Sequence, residues 1–288
     1  MPSRTPVTPP IATAARTGLI GAVGITDEPQ ERWEQGIAYR PRQYISEGAF
    51  NPRNCSPQDL ALTSPPDVVE WDAYGIWGGE LCQVARPEAL GELRQGVVNM
   101  LEVQASDKIE YILWSNDAGG DMFPPNVGLA SPLADSGATV VGGGSLGVVP
   151  AWSALIKALK VCLGGARGMI HVPVWATPWL DFYGLLTRVG NQLFTKSADH
   201  IVIAGAGYSG TGPGNVAPDA GFAWFYATTP VQVRLGPIQS SGDWDQFNRA
   251  TNAIEVRAWA PALASWDREC HLAVEVCLED PGPLCSGS

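Results

Sequence analysis

The sequence predicts an α+β protein, and three observations carry that expectation. One long apolar stripe at helical spacing runs from residue 88 to 114. The last hundred residues are rich in strand-like runs. The N-terminal third is punctuated by Pro, Gly and Asn and has no convincing helical stripe, so it reads as chain that projects rather than packs.

Composition narrows the function. The chain has 288 residues, 18 Lys+Arg against 29 Asp+Glu, and a formal net charge of −11. That balance argues against a protein built to grip nucleic acid or anionic lipid. Hydrophobic residues make up 45% and charged residues 16%, which excludes wholesale disorder. Gly (33), Pro (24) and Trp (11) are all high. Trp is enriched at interfaces, so the mixture suits either a chain that finishes its burial against neighbours or a loop-rich enzyme.

Residues 1–16 are Pro-rich, lack any period and read as an arm that needs something to lie on. Short apolar stretches follow at Asp67–Trp71 and Tyr74–Trp77. The long helix opens on Pro87 and Glu88, both suited to a first turn. Leu90, Leu93, Val97, Leu101, Ala105, Ile109 and Leu113 form its stripe, and Ser115-Asn-Asp-Ala-Gly-Gly120 stops it. A second helix is expected over 151–163, with Trp152, Leu155, Ile156, Leu159 and Cys162 on one face. Strands are expected at 169–174 and 200–204, with a helix over 180–193 between them. Four more strands are expected at 222–227, 231–235, 253–260 and 271–278. In the third of these Ile254, Val256 and Ala258 alternate with Glu255, Arg257 and Trp259.

The six cysteines, Cys55, Cys82, Cys162, Cys270, Cys277 and Cys285, show no two-residue spacing of a zinc site or redox dithiol. They read as reduced, mostly buried thiols, with an intersubunit bridge left open. Residues 136–156 carry no charge, yet five glycines and Pro150 make them a poor membrane helix.

Two motifs invite an enzymatic reading. Gly205-Ala-Gly-Tyr-Ser-Gly210 satisfies G-x-G-x-x-G, but Thr211-Gly-Pro-Gly follows where a dinucleotide site needs a helix, so a mobile loop is expected. Gly143-Gly-Ser-Leu-Gly147 matches the nucleophile-elbow pattern, but Val148-Val-Pro150 stands where the helix should start. His171, His200 and His271 are isolated and read as structural, with no metal or cofactor expected.

The order of elements points further. Pro66-Asp-Val-Val-Glu-Trp-Asp-Ala-Tyr-Gly-Ile-Trp77 leads through Glu80 into the long helix, which ends in Lys108-Ile-Glu-Tyr-Ile-Leu-Trp-Ser-Asn116. Thr229-Pro-Val-Gln-Val-Arg-Leu-Gly236, Asn248–Arg257 and Cys270-His-Leu-Ala-Val-Glu-Val-Cys277 supply the closing strands. Over roughly residues 30–278 this resembles the major capsid proteins of tailed phages, with the Hong Kong 97-type fold that encapsulin shells share. More specifically, these segments are similar to capsid-like proteins of phages infecting actinobacteria.

The resemblance implies an N-terminal arm (1–40) and an extended loop, a long β-hairpin, over 41–78. It implies a peripheral domain (79–120 and 237–279) with a spine helix at about 88–114, an axial domain (121–236) and a flexible tail (280–288). It also implies a shell subunit that assembles with copies of itself into hexamers and pentamers. The shell would form in the host cytoplasm and enclose double-stranded DNA without specific binding; portal, scaffolding and decoration proteins are possible further partners. Trp33, Tyr44, Trp71, Tyr74 and Trp77 are the expected intersubunit contacts, with loops near 120–147 and 205–220. Relatives that weld subunits through a loop lysine imply a test, because residues 1–107 contain no Lys. The chain opens at Met1, so cleavage of the arm is not expected. An encapsulin-type compartment and a serine hydrolase using Ser145 are the alternatives.

Overall fold

The structure is a computed structural model that describes residues 17–26, 33–39, 69–82, 87–115, 132–241, 247–248 and 253–278. In chain order these form α1 (Leu19–Val23), β1 (Ile37–Tyr39), β2 (Val69–Trp71), β3 (Tyr74–Cys82) and α2 (Pro87–Ser115). Next come β4 (Thr139–Val140), β5 (Leu146–Gly147), α3 (Val148–Cys162), β6 (Met169–Pro173), α4 (Thr177–Phe182), β7 (Leu186–Val189), β8 (Gln192–Thr195) and β9 (Ile201–Gly205). The chain closes with β10 (Phe222–Thr228), β11 (Gln232–Leu235), β12 (Gln239–Ser240), β13 (Phe247–Asn248), β14 (Ala253–Ser265) and β15 (His271–Cys277).

The expected long helix is present as α2, whose 29 residues span about 43 Å at 1.5 Å per residue. Val97, Leu101, Ala105, Ile109 and Leu113 of its stripe are all buried. Beneath it β14 pairs antiparallel with β3 from Ile254↔Cys82 to Ala262↔Tyr74. Along β14, Val256, Ala258, Ala260 and Ala262 face inward. Alanines on this face let the helix axis come close to the sheet. At Gly78 the helix is in reach, since an added Cβ would stand in van der Waals contact, 3.4 Å from Met100 Cε.

The second layer is an eight-stranded mixed sheet in the order β4-β15-β10-β6-β9-β8-β7, with β5 also on β15. Alternate residues of its central strands enter two different cores. Ile170, Val172, Val202, Phe225, Val274 and Val276 pack with Trp152, Leu155 and Leu159 of α3. Met169, Ile203, Tyr226 and Ala273 join α2 in the other core. Both faces are therefore covered, which is why these strands read as nearly continuous apolar runs.

Several expectations are corrected. The helix expected over 180–193 is the short α4 followed by a β7–β8 hairpin. Gly184 adopts φ +62, which breaks the helix, and Gly190-Asn191 is the two-residue turn set by the Val189↔Gln192 pair. Helix α3 begins at Val148, before Pro150, because proline in a first turn forfeits no intrahelical bond. Strand β15 pairs with β10 along its whole length and so joins the eight-stranded sheet. Cys162 and Cys270, read as free thiols, form a disulfide with Cα atoms 5.9 Å apart, and Cys277 is disulfide-bonded as well. Among the described residues no helix is long and apolar enough to cross a membrane.

Candidate subunit-contact faces

Strands β1 and β2 pair antiparallel from Ile37↔Trp71 to Tyr39↔Val69. The chain thus departs at residue 39 and returns at residue 69 on adjacent strands. That is the geometry of a hairpin root. The body of the expected extended loop, with Tyr44, lies outside the described residues.

The other four aromatic candidates divide by burial. Trp71 is 1% exposed, its ring centroid 4.4 Å from that of Trp266, and its Nε1–H donates to the Trp266 carbonyl at 3.1 Å. The Arg268 guanidinium lies 5.1 Å from the Trp71 ring centroid, and burial draws its pKa down. Tyr74 is buried too, and desolvation pushes its hydroxyl well above the usual phenol range. Both side chains pack into this chain's own core. Trp33 is half-buried against the α2 core.

Trp77 points the other way. It is half-buried and stands directly opposite Trp259, which is 40% exposed, in the β3–β14 register. Cross-strand partners share a face, so the two indoles sit together on the side turned away from α2. Arg257 caps the Trp77 ring at 5.3 Å and bonds Glu255 through Nε at 2.6 Å, which raises the guanidinium pKa. The ribbon's outer face is an aromatic patch with its charges already paired. Trp259 was legible as a large apolar residue in the polar half of the β14 alternation.

Further exposed apolar residues lie at α4 and in the loops before it and after β9. Phe182 is 76% exposed, Val216 63% and Trp175 49%. Trp175 rests on the loop after β9, where an added Cβ on Gly210 would stand 3.0 Å from its ring.

The start of α1 is held at a buried junction with α2. Glu110, five residues before the end of α2, turns its carboxylate toward the start of α1. Oε1 accepts the Leu19 N–H at 2.6 Å and the Ser106 hydroxyl at 2.9 Å; Oε2 accepts the Gly207 N–H at 3.0 Å. Ser106 Oγ in turn accepts the Ile20 N–H at 3.2 Å. Burial raises the Glu110 pKa, opposed by these hydrogen bonds. An added Cβ on Gly207 would meet the Asp107 carbonyl oxygen and stand 2.8 Å from the Tyr111 nitrogen. The Gly205–Gly210 loop is therefore packed on α2, not loose, and Tyr208 is buried within it.

The catalytic motif does not assemble. Ser145 Oγ donates to the Glu275 carboxylate, and the hydrogen bonds of the three histidines go elsewhere. His171 lies 2.9 Å from both the Tyr208 hydroxyl and Thr228 Oγ1, His200 Nδ1 accepts the Gly168 N–H, and His271 Nε2 meets the Leu133 carbonyl. Because Thr228 Oγ1 donates to the Thr229 carbonyl, it accepts from His171 Nε2–H, leaving Nδ1 to accept the Tyr208 O–H. Among the described residues no group of three His, Cys, Asp or Glu is placed to hold a metal ion.

No protein-family model matches the chain, and no curated protein matches it. Solved structures do. The capsid of an empty GTA particle superposes with TM-score 0.56 at 10% identity, covering 97% of this chain and 96% of that one. The capsid of Ralstonia phage GP4 gives 0.54 at 10% identity over 98% and 97%. A structure of Mycobacterium phage Ogopogo gives 0.51 at 12% identity over 95% and 96%. The likeness extends over nearly the whole chain, and the chain has the Hong Kong 97-type fold of phage capsid proteins.

Proposed function

We propose that this chain is the major shell subunit of a tailed-phage head, joining copies of itself into hexamers and pentamers of an icosahedral capsid. The near full-length agreement with the GTA and GP4 capsids carries this reading, because it leaves no large part of the fold for a separate task. The physical features agree. An outward aromatic face at Trp77 and Trp259 and exposed apolar residues around Phe182 suit surfaces that are covered by neighbours. The net charge of −11 suits an inner wall that encloses DNA without holding its phosphates. Portal, scaffolding and decoration proteins are partners under this proposal, and the virion is its place of action.

The test is electron microscopy with sedimentation of the expressed chain. Hexamers, pentamers or closed shells are expected. A monomer that stays fully protected at high concentration would overturn the proposal, and shells that co-purify with one enzyme would redirect it to an encapsulin-type compartment.

A further inference from the structure

We infer that the Cys162–Cys270 bond is an oxidative lock, closing inside each subunit after the particle leaves a reducing compartment; its timing rests on the shell reading above. Cys162 ends α3 and Cys270 immediately precedes β15, the two elements whose apolar faces already interlock through Trp152, Leu155, Leu159, Val274 and Val276. Packing alone therefore brings the two sulfurs together, and the fold does not wait for the bond. The bond closes a segment of 108 residues that contains every strand from β6 to β14. A crosslink over so long a loop removes much of the freedom of the unfolded chain. The lock also has an accessible side: Cys270 is fully buried, whereas Cys162 is only half-buried. At the other end of the same strand Cys277 is disulfide-bonded too, so β15 is held covalently at both ends.

The chemistry balances with a small-molecule disulfide as oxidant. The Cys162 thiolate attacks it and releases one thiolate. Cys270 then attacks the mixed disulfide at the Cys162 sulfur and releases the second. Two electrons pass to the oxidant, and the two thiol protons end on its two thiol products.

Whole cells and released particles are quenched in acid and their thiols alkylated with N-ethylmaleimide in denaturant, which reaches the buried Cys270, and the peptides carrying Cys162 and Cys270 are read by mass spectrometry. Both peptides should be alkylated in the samples from cells and linked in those from released particles. Cys162→Ser, with Cys270→Ala as a second variant, should lower the melting temperature of released particles by on the order of 10 °C. Repeating each melt with reductant separates this bond from the one at Cys277. A link already complete before lysis, free thiols in released particles, or variants that melt with the parent would each overturn the lock. Microscopy of the same samples reads shell formation separately. If no shells form, the shell reading fails, and the trapped-thiol ratio still decides the lock on the free chain.

Discussion

Glu110 reaches across 91 positions of sequence to hold Leu19, its Oε1 accepting the backbone N–H at 2.6 Å in a buried junction. With Ser106 beside it, α2 thereby supplies the acceptors that the first N–H groups of the short helix α1 lack. The start of α1, helix α2 and the loop after β9 meet at one carboxylate. The arrangement makes a defined prediction. Glu110→Ala leaves the buried Leu19 donor and the half-buried Gly207 donor without this acceptor and should cost about 2–4 kcal/mol, read from denaturant midpoints. Hydrogen exchange at Leu19 should accelerate well beyond that of the α3 amides, which the junction does not touch.

Acid should weaken the fold through its histidines. Burial, with His271 as a lesser cause, holds His171 at about 3, against an ordinary value of 6.5. The folded value lies below the unfolded one, so the proton binds more tightly to the unfolded chain. The resulting stability is complete above about pH 6.5 and is lost progressively as pH falls toward 3. His200 and His271 shift in the same direction, also through burial. Glu110 shifts upward and works against them over its own range. Between pH 7 and pH 5 the His171 contribution alone should fall by about 2 kcal/mol. In His171→Gln, chemical denaturation at the two pH values should show a smaller difference than in the parent.

Two tryptophans six positions apart should fail differently. Trp71→Ala empties a core site against Trp266 and should cost about 3–5 kcal/mol, so soluble protein is lost first. Trp77→Ala removes a half-buried ring from an outward face. Under the shell proposal it should leave most of the soluble chain and reduce particle yield several-fold, as should Trp259→Ala. Soluble yield and particle counts by microscopy, measured on the same cultures, separate the two outcomes. Equal losses of both in all three variants would remove the outward face from the proposal.

A loop-lysine weld between subunits should be absent. With no Lys in residues 1–107, particles boiled in denaturant and reductant should run as one band near 30.6 kDa. A ladder of multiples surviving reductant would refute this.

What the sequence determined by itself is what nearest neighbours along the chain can dictate. The 3.6-residue recurrence from Leu93 to Leu113 made α2 readable almost to its ends, and the alternation around Val256 revealed which face of β14 lies inward. The same alternation left Trp259 on the outer face, where it pairs with Trp77. Local signals also misled where two structures compete for one stretch. Residues 180–193 carry enough Leu for a helix, yet Gly184 and Gly190-Asn191 turn them into a hairpin. Tertiary structure alone decided the rest. Trp71 and Tyr74 are core residues because Trp266 and the underside of α2 close over them, and nothing near them in sequence says so. Glu110 finds Leu19, and Cys162 finds Cys270, across about a hundred residues for the same physical reason. Periodicity reports how a segment turns its own faces, whereas a partner is chosen by the packing of whole layers.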